Sequence, residues 1–167
     1  LLPGDDLAVA VVGSRNATVY GRQVTESFVY ALSKQGLTIV SGLARGIDSV
    51  AHRMAIDAGG RTIAVMGCGL DMVYPPENRQ LAEVVAKNGA VVSEFPLGFQ
   101  PVQSNFAARN RIISGLSLGV LVTEAAADSG SLITAGNAAE QGREVFAVPG
   151  PITSVNSHGV NKLIKEG

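Results

Sequence analysis

The sequence predicts an α/β fold class, in which a doubly wound and mostly parallel sheet carries helices on both faces. Short apolar runs of about five residues alternate along the chain with longer segments whose apolar residues recur at helical spacing. Polar turns that contain glycine separate many of these segments. Strands that alternate with helices in this way are joined by right-handed crossovers and form a parallel sheet, so we expect an extended Rossmann-like fold.

Six apolar runs are predicted to be strands. Most are continuous rather than alternating in polarity, which is typical of parallel strands covered on both faces. Valine and isoleucine are common in them, as expected for strands. In chain order the runs cover residues 7–12, 37–40, 62–66, 90–92, 118–122 and 144–148.

Helical spacing predicts the segments between these strands, with glycines as the expected stops. Five main helices and one short helix at 159–164 are expected, the fourth of them over 104–117. For the other four main helices, the residues expected to face the sheet are Val24, Phe28, Ala31 and Leu32; Ile47, Ala51, Met54, Ala55 and Ala58; Leu81, Val84 and Val85; and Ala135, Ala138 and Ala139.

Composition indicates one folded domain. The chain has 167 residues, of which 46% are hydrophobic and 16% charged, and no apolar run approaches the ~20 residues of a membrane span. The lone Cys68 rules out an internal disulfide framework and suits a reducing, cytoplasmic setting. Because the sequence has no initiator Met and no leader, we expect residues 1–167 to be one core domain of a longer polypeptide.

Charge and motifs exclude several function classes. The net charge is −1, with 13 basic and 14 acidic residues, so any site for a polyanion must be local. The G-x-x-x-x-G-K-[ST] motif is absent, the turn after the first strand is not G-x-G-x-x-G, and no acid closes the second strand, which disfavours P-loop nucleotide hydrolysis and NAD binding. The hydrolase elbow G-x-S-x-G is missing, and His52 and His158 are far apart. We therefore expect no cofactor and no metal.

Polar residues collect at the predicted carboxyl ends of the strands, where ligands bind in such sheets. Ser14 and Arg15 follow the first strand, Gly42 and Arg45 follow the second, and the Ser129-Gly130-Ser131 turn opens a helix whose free N–H groups favour an anion. This edge is a candidate phosphate groove. The alternative is that short turns simply require glycine and that nearby acids neutralise the arginines; those acids are Asp48, Asp71, Glu94 and Glu124.

The helix over 104–117 carries the strongest candidate side chains. At about 100° per residue, Phe106, Arg109 and Asn110 share one side of it, and Arg111 points away. A ring beside a guanidinium and an amide can stack a base and hold its phosphate. Alternatively, Phe106 and Ile113 are core residues and the arginines form a solvated or ion-paired face.

One carboxylate pair is a further candidate. Glu94 and Glu124 each stand just beyond a predicted strand, where two acids could perform acid–base chemistry. The alternative is that they hold neighbouring arginines in place.

Taken together, the motifs resemble one family in order and spacing. They are Gly-Ser-Arg at 13–15, Ser-Gly-Leu-Ala-Arg-Gly-Ile-Asp at 41–48, Gly-Cys-Gly-Leu-Asp at 67–71 with Tyr74 and Pro75, Ser-Glu-Phe-Pro at 93–96, the segment 106–117, Glu124 and Ala125 with 129–132, and Val-Phe-Ala-Val-Pro-Gly at 145–150. The sequence is similar, from Val9 to Gly167, to the Rossmann-like core of the DNA-processing protein A (DprA or Smf) family.

The resemblance implies a function. Members are cytoplasmic bacterial proteins that bind and protect single-stranded DNA and load the RecA recombinase onto it during natural transformation. They dimerise through this domain, are not known to turn over a substrate, and many carry a helical domain before it and a winged-helix-like domain after it. We therefore expect a homodimeric binding protein with single-stranded DNA and RecA as partners, no membrane association, and both flanking domains outside these residues.

The resemblance also assigns residues. Arg15 matches a position that contacts DNA phosphate, and Phe106, Arg109 and Asn110 match a motif that lines the DNA pocket. Where some members carry a lysine, three residues before the phenylalanine, this chain has Gln103, so we expect one phosphate contact fewer and a lower salt slope. Ser14 belongs to the Gly-Ser-Arg turn, and loop position alone adds Gly42, Arg45, Ser129 and Ser131.

Two alternative functions remain open. Similar Rossmann-like domains occur in nucleotide-processing hydrolases of the lysine-decarboxylase-like (LOG) group, which carry a Pro-Gly-Gly-x-Gly-Thr loop. This chain has Asp-Ser-Gly-Ser-Leu-Ile-Thr at 128–134, so that loop is not reproduced. A purely dimerising scaffold would neither bind DNA nor turn over a substrate.

Overall fold

All six strands lie in one parallel sheet, in the order β4-β3-β2-β1-β5-β6. The computed structural model describes residues 1–167. Its strands are β1 (Ala8–Gly13), β2 (Thr38–Ser41), β3 (Thr62–Met66), β4 (Gly89–Ser93), β5 (Gly119–Glu124) and β6 (Glu144–Ala147). Its helices are α1 (Val19–Lys34), α2 (Ile47–Asp57), α3 (Arg79–Asn88), α4 (Gln103–Gly115), α5 (Ser131–Glu140) and α6 (His158–Glu166), with short 3-10 helices at Pro3–Asp6, Pro76–Asn78 and Val155–Ser157.

The strand order confirms the predicted doubly wound sheet. The chain builds outward from β1 to β4 and then returns, so that β5 pairs with the free side of β1. The direction of winding therefore reverses between β1 and β5. Ligands of such sheets bind in the crevice beyond the carboxyl ends of the strands at this point.

Helices cover both faces of the sheet, as predicted. Alternate residues of one strand point to opposite faces, so Val40 and Val65 pack toward α4–α6, whereas Ile39 and Met66 pack toward α1–α3. The central strands are buried on both faces, which explains why their sequences read as continuous apolar runs. No helix combines the length and the apolar character that a membrane crossing requires.

The predicted inner face of α1 is only partly right. Val24 and Leu32 are half-buried and pack against the core, whereas Phe28 is 45% exposed and Ala31 is also exposed. The most deeply buried side chains of α1 include Thr25 and Val29, which were not predicted. Thr25 can be buried because its hydroxyl donates to the Gly21 carbonyl oxygen at 2.7 Å and lies 2.7 Å from the Thr123 hydroxyl. A satisfied hydroxyl thus occupies a position that an apolar pattern does not reveal.

Smaller errors occur in two other helices. Val84 was expected in the core but is 40% exposed, because α3 packs through Leu81, Ala82 and Val85. Ala139 was expected against the sheet but is exposed at the surface of α5. The remaining α2 and α5 predictions hold, since Ile47, Ala51, Ala55, Ala58, Ala135 and Ala138 are all buried.

Candidate nucleic-acid interface

An open groove of about 570 Å³ lies where the winding of the sheet reverses. The turn after β1, one side of α4 and the start of α5 form its walls. A second cavity of about 30 Å³ adjoins it and shares Arg15, Phe106 and Arg109 with it. Every residue predicted for the site lines one or both cavities: Ser14, Arg15, Phe106, Arg109, Asn110, Ser129 and Ser131 line the groove, and Gly42 and Arg45 line the smaller cavity.

Phe106 packs across the end of β3. A Cβ atom on Gly67 would lie 2.6 Å from Cδ1 of Phe106, so the ring approaches this closely only because residue 67 is glycine. The Tyr74 ring lies beside it, with 5.3 Å between ring centroids and 31° between planes. Phe106 is half-buried and still lines the groove, so its ring combines a fixed orientation with access.

Arg15 extends from the turn after β1 and is exposed. Its guanidinium carbon lies 5.7 Å from the centre of the Phe106 ring, within the range of a cation–π interaction. Four salt bridges occur in the chain, and Arg15 takes part in none of them. It is therefore a cation on the groove wall whose charge is not neutralised by an acid.

The loop between β2 and α2 supports the turn that carries Arg15. The Ile47 N–H donates to the Ser14 carbonyl oxygen at 3.1 Å. Gly46 adopts φ +72°, and a Cβ atom there would lie 2.1 Å from the same Ser14 oxygen. This glycine is required both for its backbone conformation and for the close approach.

Arg109 is buried, in contrast to Arg15. Only 4% of it is exposed, and its Nη1 donates to the carbonyl oxygens of Gly42, at 2.8 Å, and of Val65. Its Nε donates to Oδ1 of Asn110 at 3.2 Å, and Nδ2 of Asn110 donates to the Gly130 carbonyl oxygen at 3.3 Å. Most of the polar atoms of these two predicted site residues are thus engaged within the chain.

Asp48 contacts Gly42, the residue that Arg109 also contacts. Its Oδ2 accepts the N–H groups of Gly42, at 3.1 Å, and Ala44, at 3.3 Å. Burial raises the pKa of the Asp48 carboxyl, and the positive charge of Arg109 opposes this shift. Burial likewise lowers the pKa of the Arg109 guanidinium, and Asp48 opposes that change. The two side chains therefore form a buried pair of opposite charge.

Two other arginines are neutralised by acids, as the alternative reading of the loops expected. Arg45 pairs with Glu77, and Arg111 pairs with Glu94. Both arginine side chains are more than half exposed, and surface pairs of this kind contribute little to stability because solvent screens them. Of the four acids proposed as neutralising partners, only Glu94 forms a salt bridge with an arginine at the rim.

The proposed catalytic pair of Glu94 and Glu124 is not formed. Four inter-strand spacings separate β4 from β5, which places the two acids roughly 19 Å apart across the sheet. Glu124 is 2% exposed and accepts hydrogen bonds from the N–H and the hydroxyl of Thr18, the residue that caps α1. Its carboxylate thus occupies the helix N-terminus at which a dinucleotide would place its pyrophosphate.

Some groove residues were not predicted from sequence. Asn156 reaches the groove from the short 3-10 helix after β6, a segment without a recognisable motif. Asn16 and Ile133 are immediate neighbours in sequence of predicted turns. Tyr74 was noted within a motif but given no role, and its aromatic ring beside a predicted stacking residue would have been the signal.

Comparison with known proteins identifies the family. The family model described as DNA recombination-mediator protein A matches residues 3–167. The chain belongs to the DNA recombination-mediator protein A family. Among relatives of this family, Protein Smf of Escherichia coli is 54% identical over 160 residues, which are 95% of this chain and 43% of that protein.

Two solved structures of the family have the same fold. DNA processing protein A of Streptococcus pneumoniae superposes with a TM-score of 0.89 at 47% identity, over 98% of this chain and 58% of that one. The Helicobacter pylori protein, whose structure concerns its single-stranded DNA binding mode, superposes with a TM-score of 0.90 at 35% identity, over 97% of this chain and 73% of that one. The chain spans about half the length of the curated relatives it matches.

Proposed function

We propose that this chain binds single-stranded DNA in the groove at the β1–β5 switch point. The observation that carries the proposal is the juxtaposition of Arg15 and Phe106, 5.7 Å apart on the wall of an open groove. An aromatic ring holds a base by stacking, and a guanidinium holds phosphate. A DNA strand that follows the groove therefore finds, within one nucleotide, a ring for its base and a guanidinium for its phosphate.

The proposed capture is tolerant of sequence. The amide of Asn110 is bonded to Arg109 and Gly130, and the amide nitrogen of Asn105 donates to the Gln100 carbonyl oxygen at 3.2 Å. A side-chain amide recognises a base edge only when its own donor and acceptor atoms are free to form hydrogen bonds with that base. Stacking on Phe106 accepts every base, because each base has an aromatic face.

The proposed preference for single strands follows from access. A base reaches the Phe106 ring only after it has left the stack, and removing a base from a duplex costs a few kcal/mol. In a single strand that cost is much smaller. The site thus favours unpaired DNA, and this preference does not require a helix that enters the major groove of a duplex.

The wider role that we propose is that of a recombination mediator acting on single-stranded DNA. Membership of the family and the single-stranded DNA binding mode studied in the Helicobacter pylori relative support it. In this role the chain acts as a cytoplasmic homodimer, protects the strand during natural transformation, and passes it to the RecA recombinase. Sedimentation of the isolated chain at the mass of a monomer would contradict the dimer.

We further propose that the chain acts by binding and not by turnover. Glu124 caps α1 and lies far from Glu94, so these two acids do not form the carboxylate pair that acid–base chemistry would need. Incubation with nucleoside monophosphates is therefore expected to release no free base. Release that disappears in Glu124→Gln would favour a hydrolase of the lysine-decarboxylase-like group.

One competition experiment tests the central proposal. A fluorescent oligo-dT of about 16 nucleotides is bound to the protein and displaced by unlabelled single-stranded or duplex DNA of equal length. Single strands of mixed sequence are expected to displace the probe at much lower concentration than the duplex. Equal displacement by both forms, or no binding of the probe, would contradict the proposal.

A further inference from the structure

Two buried residues of opposite charge, Asp48 and Arg109, bind the two polar backbone groups of Gly42. The Asp48 carboxylate accepts its N–H at 3.1 Å, and the Arg109 guanidinium donates to its carbonyl oxygen at 2.8 Å. A Cβ atom on Gly42 would lie 2.7 Å from both Oδ2 of Asp48 and Nη2 of Arg109. Both charged residues are more than nine-tenths buried.

This pair connects the loop that supports Arg15 with the end of β3, which supports Phe106. On one side, the loop that it holds continues to Gly46 and Ile47, which contact the carbonyl oxygen of Ser14 beside Arg15. On the other side, Arg109 also donates to the Val65 carbonyl oxygen, near the end of the strand that leads to Gly67 and the Phe106 ring. The positions of the Arg15 guanidinium and the Phe106 ring thus both depend on the buried pair of Asp48 and Arg109.

Arg109 has little left with which to contact a ligand. Its Nη1 donates to two carbonyl oxygens and its Nε to Asn110. Only Nη2 forms no hydrogen bond within the chain, so this nitrogen is the one through which a phosphate contact would have to be made.

We propose that Arg109 and Asp48 are positioning residues for nucleic-acid binding, which act by fixing the separation of Arg15 and Phe106. The inference rests on the proposed function of the groove and adds to it two residues that act through others. The same contacts account for the burial of Asp48, an acid beside a groove that is proposed to hold phosphate. An acid is unfavourable there unless it serves the shape of the site.

The sign of the effect at Asp48 distinguishes positioning from direct electrostatics. Removal of a negative charge near a phosphate strengthens binding if charge alone matters. Loss of the contacts between Asp48 and the Gly42 loop weakens binding if Asp48 acts by positioning. Asp48→Ala is expected to weaken oligo-dT binding by about five-fold or more, as for a coupled site, whereas Asp48→Asn, which retains an oxygen acceptor for the loop, is expected to recover part of that loss.

Salt dependence gives a second criterion, which holds even if one variant is poorly folded. Arg109→Gln and Arg109→Lys are titrated with oligo-dT at several salt concentrations, below the melting temperature of each variant. Positioning predicts weaker binding for both, with the same slope of log K against log salt in the two variants, because neither side chain contacts a phosphate itself. A direct phosphate contact predicts that the slope becomes shallower by about 0.7 in the glutamine variant alone.

The wild type and Arg15→Ala are measured in the same series. Tighter binding of both Asp48 variants, or a shallower slope in Arg109→Gln alone, overturns the positioning role while wild-type binding leaves the proposed function intact. Absence of binding by the wild type overturns the proposed function itself. Weaker binding of Asp48→Ala, partial recovery in Asp48→Asn and equal slopes in Arg109→Gln and Arg109→Lys support the positioning role.

Discussion

The guanidinium of Arg15 lies 5.7 Å from the centre of the Phe106 ring, although the first residue follows β1 and the second lies on α4. The sheet makes this juxtaposition possible because the carboxyl ends of its strands meet at one edge. Gly46 allows its loop to approach the Ser14 carbonyl oxygen beside Arg15, and Gly67 allows the Phe106 ring to pack closely against the end of β3. Each contribution can be tested separately.

The stacking contribution of Phe106 is tested by truncation. Phe106→Ala is expected to weaken oligo-dT binding by roughly 1–3 kcal/mol, the value found when one base loses its aromatic partner. Phe28→Ala is the matched control, since Phe28 is 45% exposed on α1 and does not line the groove. Fluorescence anisotropy measures both. Equal losses in the two variants would show that Phe106 holds no base.

The phosphate contact of Arg15 is tested through salt. Arg15→Ala is expected to make the slope of log K against log salt shallower by about 0.7, the contribution of one phosphate of a single strand. Arg53→Ala removes an exposed arginine of α2 that lines neither cavity. That control should leave the slope unchanged, and a similar change in both variants would mean that only overall charge matters.

The close contact at Gly46 predicts a coupled loss of stability and binding. In Gly46→Ala the added methyl is placed on a backbone with φ +72° and ψ −127°, which costs a non-glycine residue about 1–3 kcal/mol, and it also collides with the Ser14 carbonyl oxygen, which displaces Arg15. Gly36→Ala supplies the control, because Gly36 has φ +82° but no atom within 4 Å of the added Cβ. Thermal melting should fall in both variants, and DNA affinity in Gly46→Ala alone. Unchanged affinity in Gly46→Ala would mean that this contact does not position Arg15.

His52 makes stability depend on pH. Its ring is fully buried, its Nδ1 lies 2.7 Å from the Thr62 hydroxyl, and its Nε2 has no partner. The Thr62 hydroxyl donates to the Ile39 carbonyl oxygen, so the Nδ1–H of a neutral ring donates to Thr62. Burial, with smaller effects from the charges of Arg109 and Arg53, lowers the pKa of His52 from 6.5 to about 3.

The direction of the pH effect follows from these values. The unfolded chain binds a proton at His52 near pH 6.5 and the folded chain only near 3, so stability is lost as pH falls through that interval. The expected slope approaches about 1.4 kcal/mol per pH unit. Urea unfolding at pH 7 and pH 5 should show less pH dependence in His52→Gln than in the wild type. The same pH dependence in both proteins would contradict a neutral buried ring.

The sequence predicts the scaffold well because the scaffold depends on local patterns. The six predicted runs overlap the six strands, and all nine predicted site residues line the two cavities beyond the carboxyl ends of these strands. The burial of Thr25 on α1 was not predictable from apolar spacing, because its hydroxyl is buried through partners at Gly21 and Thr123.

The burial of Arg109 could likewise not be predicted from the sequence. A guanidinium is ordinarily exposed, and the acceptors that allow it inside are the carbonyl oxygens of Gly42 and Val65, from other parts of the chain. The requirement for glycine at position 46 also arises from a distant atom, the Ser14 carbonyl oxygen. Such long-range contacts decide which predicted residues face the groove and which support it.

The most direct test of the account places a fluorophore in the groove. The chain contains no tryptophan, so Phe106→Trp introduces a single indole at the proposed stacking site, and Phe28→Trp introduces one on α1 as a control. A base that stacks on the indole is expected to quench its emission. The account predicts saturable quenching of Phe106→Trp by oligo-dT and no quenching of Phe28→Trp. Binding of the oligonucleotide without a change in Phe106→Trp emission would contradict it.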